Sequence, residues 1–365
     1  MKVAIVHFVL LYMSGAEKVL QALSDIYPDA DIFTHVYDPT NISSDLKKHK
    51  IQTTFINKLP FAKKLYKYYL PLMPYALEEL DLLDYDLIIS CESGPTKGIV
   101  PNPDALHVCY CHSPMRYVWD MYHEYARRRH PMLRFIQAYF IHKLKIWDSS
   151  SANRVDLFIA NSSFVSKRIK SFYRRPAAVL SPPVDTHQFE IVSGEGDYYL
   201  WLGRFVHYKR ADIAVEAFNN SNKKLIMIGE GEEFEHLKSK ANGNIQMLGF
   251  QPFEVMKEKL EHCKALIFPG IEDAGIVPVE AMAAGKPVIA YNKGGLQDTM
   301  IDGKTGILFD DQSPGGLQHA IDKFEASSED FDPKFIKKHG DQYSSEGFKQ
   351  GFVQLIDEYV QDQKA

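Results

Sequence analysis

The sequence is poor in cysteine, with four thiols in 365 residues: Cys91, Cys109, Cys111 and Cys263. Their spacing outlines no disulfide framework, and a reducing compartment is the simpler setting. Long hydrophobic runs are missing as well; none approaches the ~20 apolar residues that a membrane span requires. No low-complexity tract or short-period repeat is present, which excludes solenoids and disordered tails. Neither charge sign is in large excess. The 42 Lys and Arg face 47 Asp and Glu, and the net charge of -5 disfavours a general nucleic-acid binder.

What is present describes a globular protein of two domains. Hydrophobic residues make up 45% and charged residues 24% of a length too great for one ordinary core. Met1-Lys2, the apolar run Val3 to Met13 and then Ser14-Gly15-Ala16 imitate a short signal peptide. The continuation Glu17 to Leu23, with Val19, Leu20 and Leu23 on one helical face, makes this a buried strand, a glycine turn and a helix.

Short apolar strands alternate with helical stretches along both halves. In the first half the strands are Val3–Val9, Asp31–His35, Leu87–Ser90, Ala105–Tyr110 and Leu157–Ala160. Ser181-Pro182-Pro183-Val184-Asp185 then reads as a linker, because proline disfavours helix continuation. Tyr198–Leu202, Lys224–Ile228, Ile245–Leu248, Ala265–Phe268, Pro287–Ala290 and Gly306–Phe309 repeat the pattern, with helices at Ala211–Phe218 and Glu232–Lys240. The last helix, Glu346 to Gln361, is amphipathic. The fold class is α/β: two Rossmann-like doubly wound domains facing a central cleft, with ligands at the carboxyl ends of strands. The boundaries are 1–181 plus 346–365 for the first domain and 182–345 for the second.

The sharpest constellation follows the strand ending at Phe268. A glycine-containing loop runs into a helix beginning near Val277, and Pro278 suits its first turn. The amides near Gly275–Val277 offer a phosphate site at the helix N-terminus. Glu272 precedes the turn and Glu280 lies inside the helix among Val277, Val279, Ala281 and Met282. A carboxylate so surrounded is expected to be paired or liganded, and it can accept two bonds from a vicinal diol. The second constellation, Gly203 to Asp212, opens another helix after a strand. Arg204 suits a forked phosphate contact and Lys209 a compact charge.

The third is the amide-lined turn at Gly15. The fourth is His107-Val108-Cys109-Tyr110-Cys111-His112. On a strand, His107, Cys109 and Cys111 share one face and converge poorly on one ion, so no metal is expected. His112, at the strand's carboxyl end, reads as a cleft residue contacting sugar or acceptor; the alternative is a purely structural histidine. Asp84-Tyr85-Asp86 precedes its strand, away from the ligand edge, and reads as a loop. Gly229-Glu230-Gly231 lacks a full dinucleotide pattern and reads as bordering the nucleoside.

Two stretches mix basic and aromatic residues. Lys58 to Tyr75 carries Lys58, Lys63, Lys64 and Lys67 among Phe61, Tyr66, Tyr68 and Tyr69. Ala126 to Trp147 carries Arg127, Arg128, Arg129, Arg134, Lys143 and Lys145 without one acidic residue. Such surfaces suit an anionic membrane or a lipid-pyrophosphate acceptor; the alternative is ordinary solvated helix faces.

These motifs resemble retaining glycosyltransferase family 4. The stretch from Glu272 to Ala290 is similar to its E-x7-E region, and Gly203-Arg204 to Arg210 to its phosphate-binding segment. Ser181 to Asp185, Gly294-Gly295-Leu296 and Asp302 to Gly306 are also similar. His112 to Asp120 looks like the O-antigen mannosyltransferase subgroup. One departure is Ser14 before Gly15, where the family often has paired glycines.

The resemblance implies a GT-B fold, no required metal or other cofactor, and retention of anomeric configuration. It implies that Glu280 holds the ribose and that Arg204 and Lys209 hold the diphosphate. Glu272 and the amides of Ala274, Gly275, Ile276 and Val277 would hold the donor sugar, with Gly15 opposite the phosphates. His112 and Glu272 would act at the reaction centre, and Arg116, Tyr117 and Asp120 on the acceptor side. It further implies GDP-mannose in preference to a UDP-sugar, a lipid-linked saccharide acceptor, and a cytoplasmic enzyme peripheral on the inner membrane face. An NAD-dependent oxidoreductase would need a full glycine fingerprint after a domain's first strand. A non-catalytic sugar-nucleotide-binding regulator and a UDP-sugar-dependent transferase stand as alternatives.

Overall fold

A computed structural model describes residues 1–92, 94–123, 131–194 and 196–364. The chain divides into two compact units. The first is Met1–Pro182 together with the chain from Phe348 onward, and the second is Pro183–Gly347.

In the first unit the main elements are β1 (Val3–His7), α1 (Gly15–Ile26), β2 (Asp31–Thr34), β3 (Ile51–Thr53), β4 (Leu87–Glu92), β5 (Leu106–Cys111), α2 (Pro131–Ser151), β6 (Leu157–Ala160), α3 (Ser163–Tyr173) and β7 (Ala178–Val179), with short helices at Ala62–Leu65 and Met73–Glu78. The strands form one parallel sheet in the order β3-β2-β1-β4-β5-β6-β7. Every residue of β1 is buried, as expected of a central strand covered on both faces. Val3–His7 is thus the buried strand expected at the start of the first domain. The strand stops at His7, two residues short of the expected end.

Asp84-Tyr85-Asp86 is structural. Asp86 accepts from the Lys2 amide at 2.6 Å, Asp84 pairs with the Lys2 ammonium at 3.4 Å, and the Tyr85 hydroxyl bonds Asp31. Together they tie down the amino ends of β1, β2 and β4.

The second unit contains β8 (Tyr198–Leu202), α4 (Ala211–Asn219), β9 (Lys224–Ile228), β10 (Ile245–Gly249), α5 (Phe253–His262), β11 (Leu266–Phe268), α6 (Ile276–Ala283), β12 (Val288–Tyr291), β13 (Gly306–Phe309), α7 (Pro314–Ala326) and α8 (Pro333–Gly340). Its sheet is again parallel, in the order β10-β9-β8-β11-β12-β13. The expected helix at Glu232–Lys240 is trimmed to Phe234–Lys238. Helix α9 (Ser345–Asp362) then returns to the first unit, where Phe348, Phe352 and Ile356 pack with Val19, Leu20 and Leu23 of α1 in one core.

Both sheets have the doubly wound order in which the second half of the strands is added on the opposite side of the first strand. The order reverses between β1 and β4 and between β8 and β11. Ligands of such sheets bind beyond the carboxyl ends of the strands at that reversal.

Candidate functional site

In the second unit, the loops at the reversal are those after β8 and β11, which hold both candidate motifs. Val206 leads into a single turn, His207–Lys209, and Arg210 adopts a left-handed φ of 53° to start α4. Arg210 spends its guanidinium on Asp212, with contacts of 3.0 Å from both Nε and a terminal nitrogen. Lys209 instead turns its ammonium onto Glu272 in the neighbouring loop, forming an ion pair. Arg204 is exposed and has no ion-pair partner among the described residues.

The two loops touch through Gly270. A Cβ there would stand 2.7–2.9 Å from the Lys209 backbone, closer than real contacts allow, so a side chain would push the lysine turn away. Beyond it, Gly275 takes φ 73° and ends the loop as the first cap of α6. L-residues with side chains disfavour that conformation, which aims the loop into the helix. The first amides of α6, at Ile276 and Val277, belong to the set a helix leaves without intrahelical partners, and the dipole adds positive potential. Pro278 has no amide to leave unpaired. Glu280, one turn on, is 7% exposed. The Glu272 segment is held from behind, where its carbonyl accepts from the Gly295 amide at 2.9 Å. Gly229 and Gly231 lie against Gly203 and Phe205, and the Phe205 amide donates to the Glu230 carbonyl at 2.9 Å, so Gly229-Glu230-Gly231 braces the β8 loop.

This arrangement gathers Arg204, Lys209, Glu272, Ala274 to Val277 and Glu280 at one reversal point. It offers fixed positive charge, outward amides and a nearly buried carboxylate. Those are the groups needed for a diphosphate flanked by two diols.

In the first unit, Gly15 opens α1 and Ser14 caps it. The Glu17 carboxylate accepts from the Ser14 amide at 3.0 Å and from the Ser14 hydroxyl, closing a capping box. Its other oxygen lies 3.1 Å from Nε2 of buried His7. Burial pushes the Glu17 carboxyl up, but the bonds from His7 and Ser14 outweigh it and hold the group below its usual range. His7 gave no sequence signal; it ends an apolar strand and reads as core.

His112 follows β5. Its ring meets Tyr110 edge-on at 5.2 Å, and its carbonyl accepts from the Asn161 side chain at 2.9 Å. Burial lowers its pKa to about 3, so the ring is neutral at physiological pH. Nε2 is enclosed and has no hydrogen-bond partner among the described residues. A neutral imidazole with one free ring nitrogen can bond a hydroxyl but cannot act as a cation. His107 is different: both ring nitrogens are engaged, by Ser90 at 2.9 Å and by the Arg154 carbonyl at 2.7 Å. Among the described residues no group of three or more His, Cys, Asp or Glu is placed to hold a metal. The four cysteines are buried free thiols.

Arg116 and Tyr117 are half-buried on the segment after His112. Asp120 is exposed and accepts from Arg168 at 2.7 Å. Arg168 and the fully buried Lys97–Asp148 pair carry no local motif and are found only through the fold.

Of the two basic, aromatic stretches, the first presents Phe61, Tyr68 and Tyr75 at 75%, 72% and 66% exposure. Lys58, Lys64 and Lys67 are exposed beside them, and Lys63 pairs with Asp38 at 2.9 Å. In the second, Arg127, Arg128 and Arg129 and the side chain of Arg134 lie outside the described residues. Lys143 stands 5.8 Å from the Tyr139 ring and Lys145 5.1 Å from that of Tyr122.

Two family models match the chain: Glycosyltransferase Family 4 over residues 13–188 and Glycosyl transferases group 1 over residues 185–339. An uncharacterized glycosyltransferase of Methanocaldococcus jannaschii is 32% identical over 173 residues, 46% of this chain and 48% of the relative. An alpha-1,3/1,6-mannosyltransferase of Dictyostelium discoideum is 26% identical over 216 residues, 45% of this chain and 51% of the relative. The chain thus spans about half the length of the curated relatives it matches. Among solved structures, Anabaena HepE in complex with UDP superposes with a TM-score of 0.70 at 15% identity, covering 98% of this chain and 100% of that one. Consecutive family matches over 13–339 and two parallel doubly wound sheets agree: this chain belongs to glycosyltransferase family 4, of the GT-B class.

Proposed function

We propose that the protein is a retaining glycosyltransferase that moves a hexose, mannose from GDP-mannose, to a lipid-linked saccharide. The observation that carries this reading is the gathering of Arg204, Lys209, the α6 amides and the two glutamates at the β8/β11 reversal. Arg204 and Lys209 take the diphosphate, Glu280 the ribose, and Glu272 with the 274–277 amides the sugar. In the resting protein Lys209 and Glu272 neutralise each other; the incoming diphosphate takes over the lysine and frees the carboxylate for sugar hydroxyls. Mannose rests on the Dictyostelium relative's printed activity and on the resemblance of His112 to Asp120 to mannosyltransferases.

The reaction breaks the bond between the anomeric carbon and the diphosphate oxygen. The acceptor hydroxyl forms the new bond on the same face, and its proton passes to the departing diphosphate. Positive groups already aimed at that oxygen stabilise its developing charge without rearrangement. Neutral His112 is suited to bond a sugar hydroxyl near the anomeric carbon. We assign Gly15 to the donor and Arg116, Tyr117 and Asp120 to the acceptor. The chemistry assigned to these residues calls on no metal.

The exposed Phe61, Tyr68 and Tyr75 with Lys58, Lys64 and Lys67 support docking on an anionic membrane, which would bring a lipid-linked acceptor to the first unit. This fits a protein peripheral on the cytoplasmic membrane face. Among the described residues no helix is long and apolar enough to cross a membrane.

A nucleotide-release screen with GDP-mannose, UDP-glucose and UDP-galactose tests the reading. Release of GDP with mannose transfer, detected by mass, is the expected result. Turnover of UDP-sugars alone would replace the donor, a possibility raised by the UDP in HepE. Tight nucleotide binding without turnover of any donor would establish a non-catalytic binder instead.

A further inference from the structure

The segment 112–120 carries every candidate residue of the first unit except Gly15, yet it contains no regular helix or strand. Its middle is a turn, in which the Val118 and Trp119 amides donate to the Met115 carbonyl at 2.9 and 3.0 Å, and the placing of that turn rests on side chains outside the segment. Three elements supply them. Asn161, just after β6, donates to the His112 carbonyl at 2.9 Å. Arg168 of α3, 7% exposed, reaches the Ser113 hydroxyl, the Pro114 carbonyl at 3.3 Å and Asp120 at 2.7 Å. Asp148 of α2, fully buried, accepts from Trp119 Nε1 at 2.7 Å.

Asp148 is itself fixed. It accepts from the Tyr173 hydroxyl at 3.0 Å and pairs with buried Lys97, whose ammonium sits 4.5 Å over the Tyr173 ring. Trp119 lies stacked on Phe172 of α3, centroids 4.9 Å apart at 11°. Both ends of 113–120 are therefore clamped to α3, and the far end also to α2. A buried charge set of this kind is costly unless fully bonded, so its members are poorly explained as contributors to bulk stability alone.

We propose that Arg168 and Asp148 are positioning residues that hold segment 112–120 in the shape that recognises the acceptor. Neither touches substrate. Arg168 bridges the start and end of the segment, and Asp148 fixes the indole between them. The proposal rests on the acceptor-side reading given above.

Three variants test it: Arg168→Met, Arg168→Lys and Trp119→Phe. The last removes the Nε1 bond and part of the indole while keeping an aromatic ring beside Phe172, and the melting temperature of each variant reports whether it folds. Two readouts are used. Hydrogen exchange of residues 112–120 reports local order without any need for activity. Nucleotide release from GDP-mannose with and without octyl α-D-mannopyranoside reports use of a probe acceptor.

Arg168→Met is expected to raise exchange in this segment about tenfold. The KM for the probe acceptor should rise about tenfold to a hundredfold, with kcat and the calorimetric Kd for GDP little changed. Trp119→Phe should do the same more weakly. Arg168→Lys, which cannot reproduce the guanidinium fork, should restore only part of the loss. Unchanged exchange in 112–120 in a folded variant overturns the proposal. So does a looser segment with an unaltered acceptor KM, or equal losses for acceptor and GDP. If the unsubstituted protein turns over no donor, the proposed function fails, and the exchange measurement alone then decides whether these residues position the segment.

Discussion

Lys209 and Arg204 behave differently although they lie only five residues apart in sequence. One is engaged by Glu272 and the other is exposed without an ion-pair partner. Lys209→Ala should lower turnover by about 10²–10³, the usual cost of one lost donor to a developing oxyanion, with the melting temperature unchanged. Turnover close to that of the unsubstituted protein would remove the lysine from the reaction. Glu280→Ala should act on binding: calorimetry should show a weaker nucleoside diphosphate with kcat at saturating donor largely kept. Gly270→Ala reaches the same site indirectly, because its Cβ would meet the Lys209 backbone. We expect it to weaken donor affinity and to lower stability by about 1–3 kcal/mol, the range for overpacking, measured by urea unfolding.

Legibility in the sequence divides by distance along the chain. The Glu272–Glu280 motif, the Gly203–Arg210 turn and the Ser14–Glu17 cap are local, so one stretch of sequence names all their members. Most strands were legible from apolar runs between polar turns, whereas β3 and β7, of three and two residues, are too short to show a period. The helices α3, α5, α7 and α8 are less legible; α8, as sharply amphipathic as α1, spans only eight residues. The clamp on segment 112–120 could not be read at all. Arg168 and Asp120 are 48 positions apart, and Lys97 and Asp148 are 51 apart. In a linear reading each is an unremarked charge. α6 shows the converse: eight residues with almost no polar face, whose one carboxylate, Glu280, stood out because its neighbours were apolar. Gly275→Val should test the element as a whole. A β-branched residue at φ 73° strains the start of α6, so donor affinity should fall although no charged group is removed.

At the scale of the molecule, buried histidines of the first unit make stability depend on pH just below neutrality. Burial lowers His35 to about 3, His107 to about 4 and His112 to about 3. Unfolded histidine titrates near 6.5, so as pH falls below that value the unfolded chain gains protons that the folded unit refuses. The stabilisation is complete above the unfolded value and is lost on the way down; Glu17, held below its usual range, adds its loss only at more acid pH, below the ordinary carboxylate value. Melting temperature should therefore drop between pH 7 and pH 5 in calorimetry. A flat or rising profile would mean that these rings are hydrated in solution.

The return of α9 to α1 has a consequence for synthesis. The second unit, Pro183–Gly347, is one uninterrupted length of chain and can close as soon as it leaves the ribosome. The first unit is interrupted: Phe348, Phe352 and Ile356 seal a core begun some three hundred residues earlier, at Val19, Leu20 and Leu23. Until they emerge, the nascent first half waits with that surface bare and open to chaperones. The half translated first is the half completed last.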